Sequence, residues 1–244
     1  MTIRAGSRHE GMDRMSEREG VVPAKRIGTA LAFIIFPLVF VFAFAGHPGL
    51  LTPHLLGPEE LILRARHNGL LQLGHALVTL NTAPLVVVAL HFIKMLDGGS
   101  SAAAGFVGGS LAVLGALMLA ADKGALCLTM STLDTLPDGD FAQMMPGLRA
   151  MFAKEGWLVL LWGMLLLPVG FAVQAIALLR TRAIPRWQST LFLVGVLLVA
   201  TPDGAEIINL TASILLAIAF VPYGIRVLRD RSIGWQADSP GRAP

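Results

Sequence analysis

Six polar residues in an otherwise apolar stretch are the first candidates for chemistry: Arg64, Asn68, Gln72, His75, Thr79 and Thr82, spaced 4, 4, 3, 4 and 3. That spacing puts all six on one face of a helix. Glu206, Asn209 and Ser213 repeat the pattern on a smaller scale, with spacings of 3 and 4. A carboxylate, an imidazole and amides gathered in apolar surroundings suit a cation or small polar solute. They could also pass a proton between imidazole and carboxylate. Asp203, in Pro202-Asp203-Gly204, and Lys123, in Asp122-Lys123-Gly124, stand at the ends of neighbouring apolar runs and complete the set. Gln72, His75, Glu206, Asn209, Asp203 and Lys123 are therefore the candidate ligand-binding residues, expected to line a water-filled recess. The competing expectation is packing, since hydrogen bonds between membrane helices are common and worth ~0.6 kcal/mol each on average.

Other chemistries fit less well. His75 could ligate haem or a metal, but the other histidine within an apolar run, His91, lies on the same helix. Sixteen residues separate them, about 24 Å at helical rise. Met118 or Met164 would have to serve instead, and His75 is read as a hydrogen-bonded histidine inside a bundle. Cys127, Met130, Met144 and Met145 are soft donors that suit Cu(I). Their spacing is irregular, and methionine also fills apolar gaps. No cofactor and no metal is expected. Asp134, Asp138 and Asp140 read as a solvated loop. There is no Gly-rich phosphate loop, zinc-type Cys/His spacing or nucleophile elbow. The inward His and Asp residues of metal-assisted lipid hydrolysis are also missing, so the reading leans away from an enzyme.

The elements that must position these residues follow from composition. Of 244 residues, 55% are hydrophobic and 14% charged, against about 25% charged in a soluble domain. Cys127 is the single cysteine, which excludes an intrachain disulfide. The pattern predicts an all-α, polytopic integral membrane bundle of about six transmembrane helices, at about 27–46, 69–93, 103–121, 157–179, 187–201 and 205–228. Each run is too long or too continuous for a strand, and a lipid-exposed backbone must close its own hydrogen bonds. Residues 1–26 and 229–244 are expected to be polar tails, the first one mobile. Ala43-Phe44-Ala45 has the small-x-small form of a signal cleavage site, but the apolar stretch is long and the leader before it is long, so the first span is read as retained.

Finer expectations concern breaks and turns. Gly57-Pro58-Glu59-Glu60 suits a helix start that leads into the second span. Pro84 should kink that span. The connection 122–156 should hold a short interfacial or re-entrant helix over 125–136 and a second helix opened by Pro146. Residues 110–131 match 190–211 at six of 22 positions. This is a weak parallel internal repeat, with Asp122-Lys123-Gly124 and Pro202-Asp203-Gly204 as corresponding interruptions.

Charge gives an orientation. Of 19 Lys and Arg residues, 14 fall in the tails and in alternate connections, and five fall in the others. The richer side is assigned to the cytoplasm, with both termini there and the protein in the cell membrane. Trp157, Trp187 and Tyr223 are expected at the membrane interfaces. The net charge of +3 is explained by this orientation, so nucleic acid is not an expected partner; lipid is, and a membrane-protein partner or second copy is compatible. Three functions remain: transport or binding of a small solute or ion through the outward recess, an accessory or assembly role in a membrane complex, and, least favoured, haem or copper redox chemistry.

Overall fold

The computed structural model describes residues 7–50, 56–153, 165–199 and 206–229, with side chains in the first segment from residue 24 onward. All regular structure among them is helical. The helices are α1 (Ser7–Ala45), α2 (Pro58–Ala65), α3 (Gly69–Leu96), α4 (Ala102–Leu133), α5 (Asp138–Phe152), α6 (Leu166–Thr181), α7 (Arg186–Val199) and α8 (Glu206–Arg229). Four segments are long and apolar enough to cross a membrane: Ala24–Ala45, Gly69–Leu96, Ala102–Leu133 and Glu206–Arg229. The apolar helices α6 and α7 are shorter. The chain is thus an all-helical protein whose long apolar helices fit a membrane protein.

Six helices close into a ring in chain order. α1 packs on α3, α3 on α4, α4 on α6, α6 on α7, α7 on α8, and α8 returns to α1. Successive members run antiparallel, as short connections require. Gly105 near the start of α4 meets Leu96 at the end of α3, while Gly224 near the end of α8 meets Ala30 and Phe33 near the base of α1. The tightest seam joins α4 and α6. A Cβ on Gly115 would lie 2.2 Å from the Leu167 nitrogen, and one on Gly170 would lie 2.3 Å from the Ala112 nitrogen. Glycine is required there because the two backbones nearly touch.

The ring is filled by aromatic side chains. Phe33, Phe92, Phe171, Phe192 and Phe220 come from five of the six helices, with centroids 4.7–5.9 Å apart where they touch. Edge-on and tilted contacts of this kind place the positive edge of one ring on the negative face of another. The outside is apolar too. Leu31, Ile35, Leu38 and Phe42 on α1, and Ile207, Ile214, Ile218 and Ile225 on α8, are exposed. Meanwhile Asn81, Gln174, Gln188 and Ser213 are buried. Polar groups turned inward and aliphatic groups turned outward are the arrangement favoured when the surrounding solvent is lipid.

Several local expectations are corrected. The helix containing the first span starts at Ser7, within the segment read as a tail without structure. Gly57-Pro58-Glu59-Glu60 does start a helix, with Pro58 in its first turn, but α2 ends at Ala65. His67 has a left-handed φ of 55°, which turns the chain before α3. Asn68 then caps α3 by accepting the Leu71 N–H at 3.0 Å, an N-cap role that suits its short amide.

There is also no interruption at Asp122-Lys123-Gly124, nor a separate helix over 125–136: α4 is continuous to Leu133. A single interior glycine costs only about 1 kcal/mol, too little to break a helix supported along α3. At 32 residues, α4 is about 48 Å long and exceeds the ~30 Å hydrocarbon layer. Pro146 lies inside α5, which starts instead at Asp138 after Pro137. The corresponding turn at 202–204, and Trp157 with the first third of the expected fourth span, lie outside the described residues.

Candidate functional site

The antiparallel ring has two chemically different ends. One carries the start of α3, the ends of α1 and α4, and the start of α8. It is covered by α2 and α5, which pack on each other through Ile62, Phe141 and Leu148 with Leu133 at the end of α4. Acids and bases are mixed there. The other end carries Lys25, Arg26, Lys94, Arg180, Arg182, Arg186, Arg226 and Arg229, with Asp97 as the acid described beside them.

At the mixed end, Glu206 opens α8 and is 3% exposed. His47 faces it from the turn after α1, with Nε2 3.5 Å from a Glu206 carboxylate oxygen. The Gly49 N–H donates to His47 Nδ1 at 3.3 Å. Because Nδ1 accepts, the ring proton of the neutral imidazole sits on Nε2 and points at the carboxylate. The pair therefore holds whether or not His47 is protonated. The turn itself is pinned by Arg64, whose Nη1 donates to the Pro48 carbonyl at 3.3 Å while Nη2 pairs with Glu60 at 2.6 Å. A Cβ on Gly49 would come within 3.7 Å of the Glu206 side chain, so the turn closes over the carboxylate. Asn209, one turn deeper on α8, is also buried, and its carbonyl accepts from Ser213 Oγ at 2.8 Å.

Gln72 belongs to a second group, between α3 and α4. Its Nε2 donates to Asp134, which also accepts the His67 N–H at 3.0 Å. Cys127 Sγ lies 3.6 Å from the Gln72 carbonyl. His75 follows on the same face of α3, half-buried, and its carbonyl accepts from Thr79 Oγ1 at 2.9 Å. Lys123 sits on α4 beside Asp122, 3.4 Å away. Of the candidate set, the structure thus gathers Glu206 and Asn209 on α8, and Gln72, His75 and Lys123 along α3 and α4. α1 packs on both α3 and α8 and runs between them. Asp203 lies outside the described residues.

Much of the polar stripe, which the turn at His67 splits between α2 and α3, is structural. Asn68 caps, Arg64 clamps the turn, and Thr79 and Thr82 bond back to carbonyls of their own helix. Asn81, Gln174 and Gln188 donate to carbonyls of neighbouring helices at 2.9, 3.0 and 2.8 Å, which is interhelical bonding of the modest kind usual in membranes. The sulfur atoms do not converge: Met130 packs with Ala65 and Leu71, Met145 with the α2–α5 contact. No group of three or more potential metal ligands occurs among the described residues.

Two pairings escaped the sequence reading. His47 was not among the candidate residues, although its place in the Gly46-His47-Pro48-Gly49 turn at the same end as Glu206 was a usable signal. His91 Nε2 lies 2.9 Å from Tyr223 Oη, among Phe33 and Phe92. Tyr223, placed near a span end by its position, is 4% exposed within the bundle, and His91 gives its phenol the hydrogen-bond partner a buried hydroxyl needs. Trp187 is exposed. No family model matches the chain, and no curated protein or solved structure matches it.

Proposed function

We propose that the chain is a six-span protein of the cell membrane with both termini cytoplasmic, and that its outer end binds a small polar solute or cation. The positive-inside bias supports the orientation: the end with eight basic residues described faces the cytoplasm, and the mixed end faces out. α6 and α7, with the chain adjoining them, supply the fourth and fifth spans. The observation that carries the binding reading is Glu206. A carboxylate buried at the end of a membrane bundle, held by the His47 imidazole and bordered by Asn209, is costly to maintain and is a functional position by default.

The phenylalanine layer below it fills the ring, so a solute taken up at Glu206 reaches the other side only if that layer parts. Binding is therefore the primary activity, and transport its extension. An accessory role is the second reading, favoured by Gln174, Gln188 and Asn81, whose amides serve packing rather than an aqueous path.

A single cysteine at position 209, in a Cys127→Ser background, tests the seat. A membrane-impermeant thiol reagent added from outside should label it in the native protein, while a cysteine at position 213, one turn deeper and fully buried, should stay silent. If position 209 reacts only after unfolding, the end is sealed by packing and the binding reading fails.

A further inference from the structure

At the basic end, α8 presents Pro222, Ile225, Arg226 and Arg229 along one face, and these four residues line an open groove of about 670 Å³. The spacing of 3, 1 and 3 places them on one stripe of the helix. The stripe changes character along its length. Pro222 and Ile225 are apolar and exposed; Arg226 and Arg229 follow towards the helix end and are exposed as well. From Pro222 to Arg229 the helix rises about 10 Å, roughly the distance over which a bilayer passes from acyl chain to headgroup.

Neither arginine pairs with a carboxylate among the described residues, whereas the four basic side chains described at the other end all do. Across the seam, Gly224 packs against Ala30 of α1. That contact brings Lys25 and Arg26, about one turn nearer the end, to the same level. Arg26 Nε is buried and without a hydrogen-bond partner. An anion in the groove would meet the guanidinium groups of Arg226 and Arg229.

We propose that this groove is a site for an anionic phospholipid, its phosphate on Arg226 and Arg229 and an acyl chain against Pro222 and Ile225. Arginine suits the phosphate because its planar fork donates two parallel hydrogen bonds. The apolar half of the stripe favours a lipid over free phosphate, which would use only the arginines. The assignment does not depend on what binds at Glu206.

The test uses the purified full-length protein in mild detergent. Dioleoylphosphatidylglycerol should raise the unfolding temperature more than dioleoylphosphatidylcholine at equal concentration, and should be retained preferentially in native mass spectrometry. Arg226→Gln with Arg229→Gln should weaken that preference about twenty-five-fold, at roughly fivefold for each arginine near the surface. Arg180→Gln with Arg182→Gln, at the same end but away from the groove, should leave it intact. Equal effects of the two lipids, an unchanged preference in the Arg226/Arg229 variant, or an equal loss in the Arg180/Arg182 variant would overturn the site. Inorganic phosphate alone reproducing the full shift would overturn the lipid assignment in favour of a free anion. Should the glutamine variant not fold, Arg226→Lys with Arg229→Lys serves instead and should keep part of the preference.

Discussion

The two ends of the bundle handle charge in opposite ways. At the mixed end, Arg64, Arg66, Lys123 and Arg149 pair with Glu60, Asp138, Asp122 and Glu59 at 2.6–3.5 Å. Arg66 also donates to the Leu136 carbonyl and stacks 4.0 Å from the Phe141 ring. Charges there join α2, α4 and α5 into a cap. At the basic end, Arg180, Arg182, Arg186, Arg226 and Arg229 pair with no carboxylate among the described residues. Among the described residues their positive charge is not neutralised by a carboxylate. Charge at one end ties protein elements together; at the other, under the proposed topology and lipid site, it would set orientation and hold anionic lipid.

The largest expected effect is all-or-none. Topology reporters fused after Leu96, Arg182 and Arg229 should all report the cytoplasm, and one fused after Leu136 the outside. A Leu136 fusion on the same side as the other three would break the comparison, because both ends could not then face different compartments.

That comparison was largely legible in the sequence. Hydrophobic runs located α1, α3, α4 and α8 to within a few residues at most ends, because long apolar periodicity is a strong signal. The alternation of basic-rich tails and connections along the chain corresponds to the basic residues described together at one end of the bundle. The mixed end was not legible, for physical reasons. Which carboxylate pairs with which arginine depends on α2 folding against α5, and nothing in the spacing of Arg66 and Asp138 says so. Gln72 and Glu206 looked alike as inward polar residues near one surface, yet whether two helices face each other depends on ring order. α1 takes the place between them, packing on both α3 and α8. The helix break expected at Asp122-Lys123-Gly124 failed because residues of turn-like composition stay helical when a long neighbour supports them. His91 and Tyr223, 132 residues apart, meet only once the ring closes.

A smaller effect distinguishes the ends by stability. Asp134 is half-buried and accepts from both Gln72 and the His67 backbone. Asp134→Ala leaves those donors unpaired and should cost about 1–3 kcal/mol, seen as a lower unfolding midpoint in detergent. Arg180→Gln, Arg182→Gln and Arg186→Gln are exposed changes with no partner to strand, and each should stay within about 0.5 kcal/mol. A basic-end arginine that proved as costly as Asp134 would show that its charge serves folding after all.

The smallest effect comes from the one backbone feature the ends share. His67 and Arg182 both hold a left-handed φ, 55° and 56°, in the turns after α2 and α6. A side chain costs about 1–2 kcal/mol in that conformation, and glycine removes the cost while adding up to about 1 kcal/mol of unfolded-state freedom. Arg182→Gly should therefore raise stability slightly, by ~0.5 kcal/mol, because no contact of its side chain is given up. His67→Gly keeps the backbone N–H that donates to Asp134 but loses an imidazole 4.0 Å from that carboxylate. Its gain should be smaller than that of Arg182→Gly, in unfolding midpoints measured side by side. Equal gains would mean that the His67 ring adds nothing to the cap, and that the mixed end is held at this corner by backbone hydrogen bonds alone.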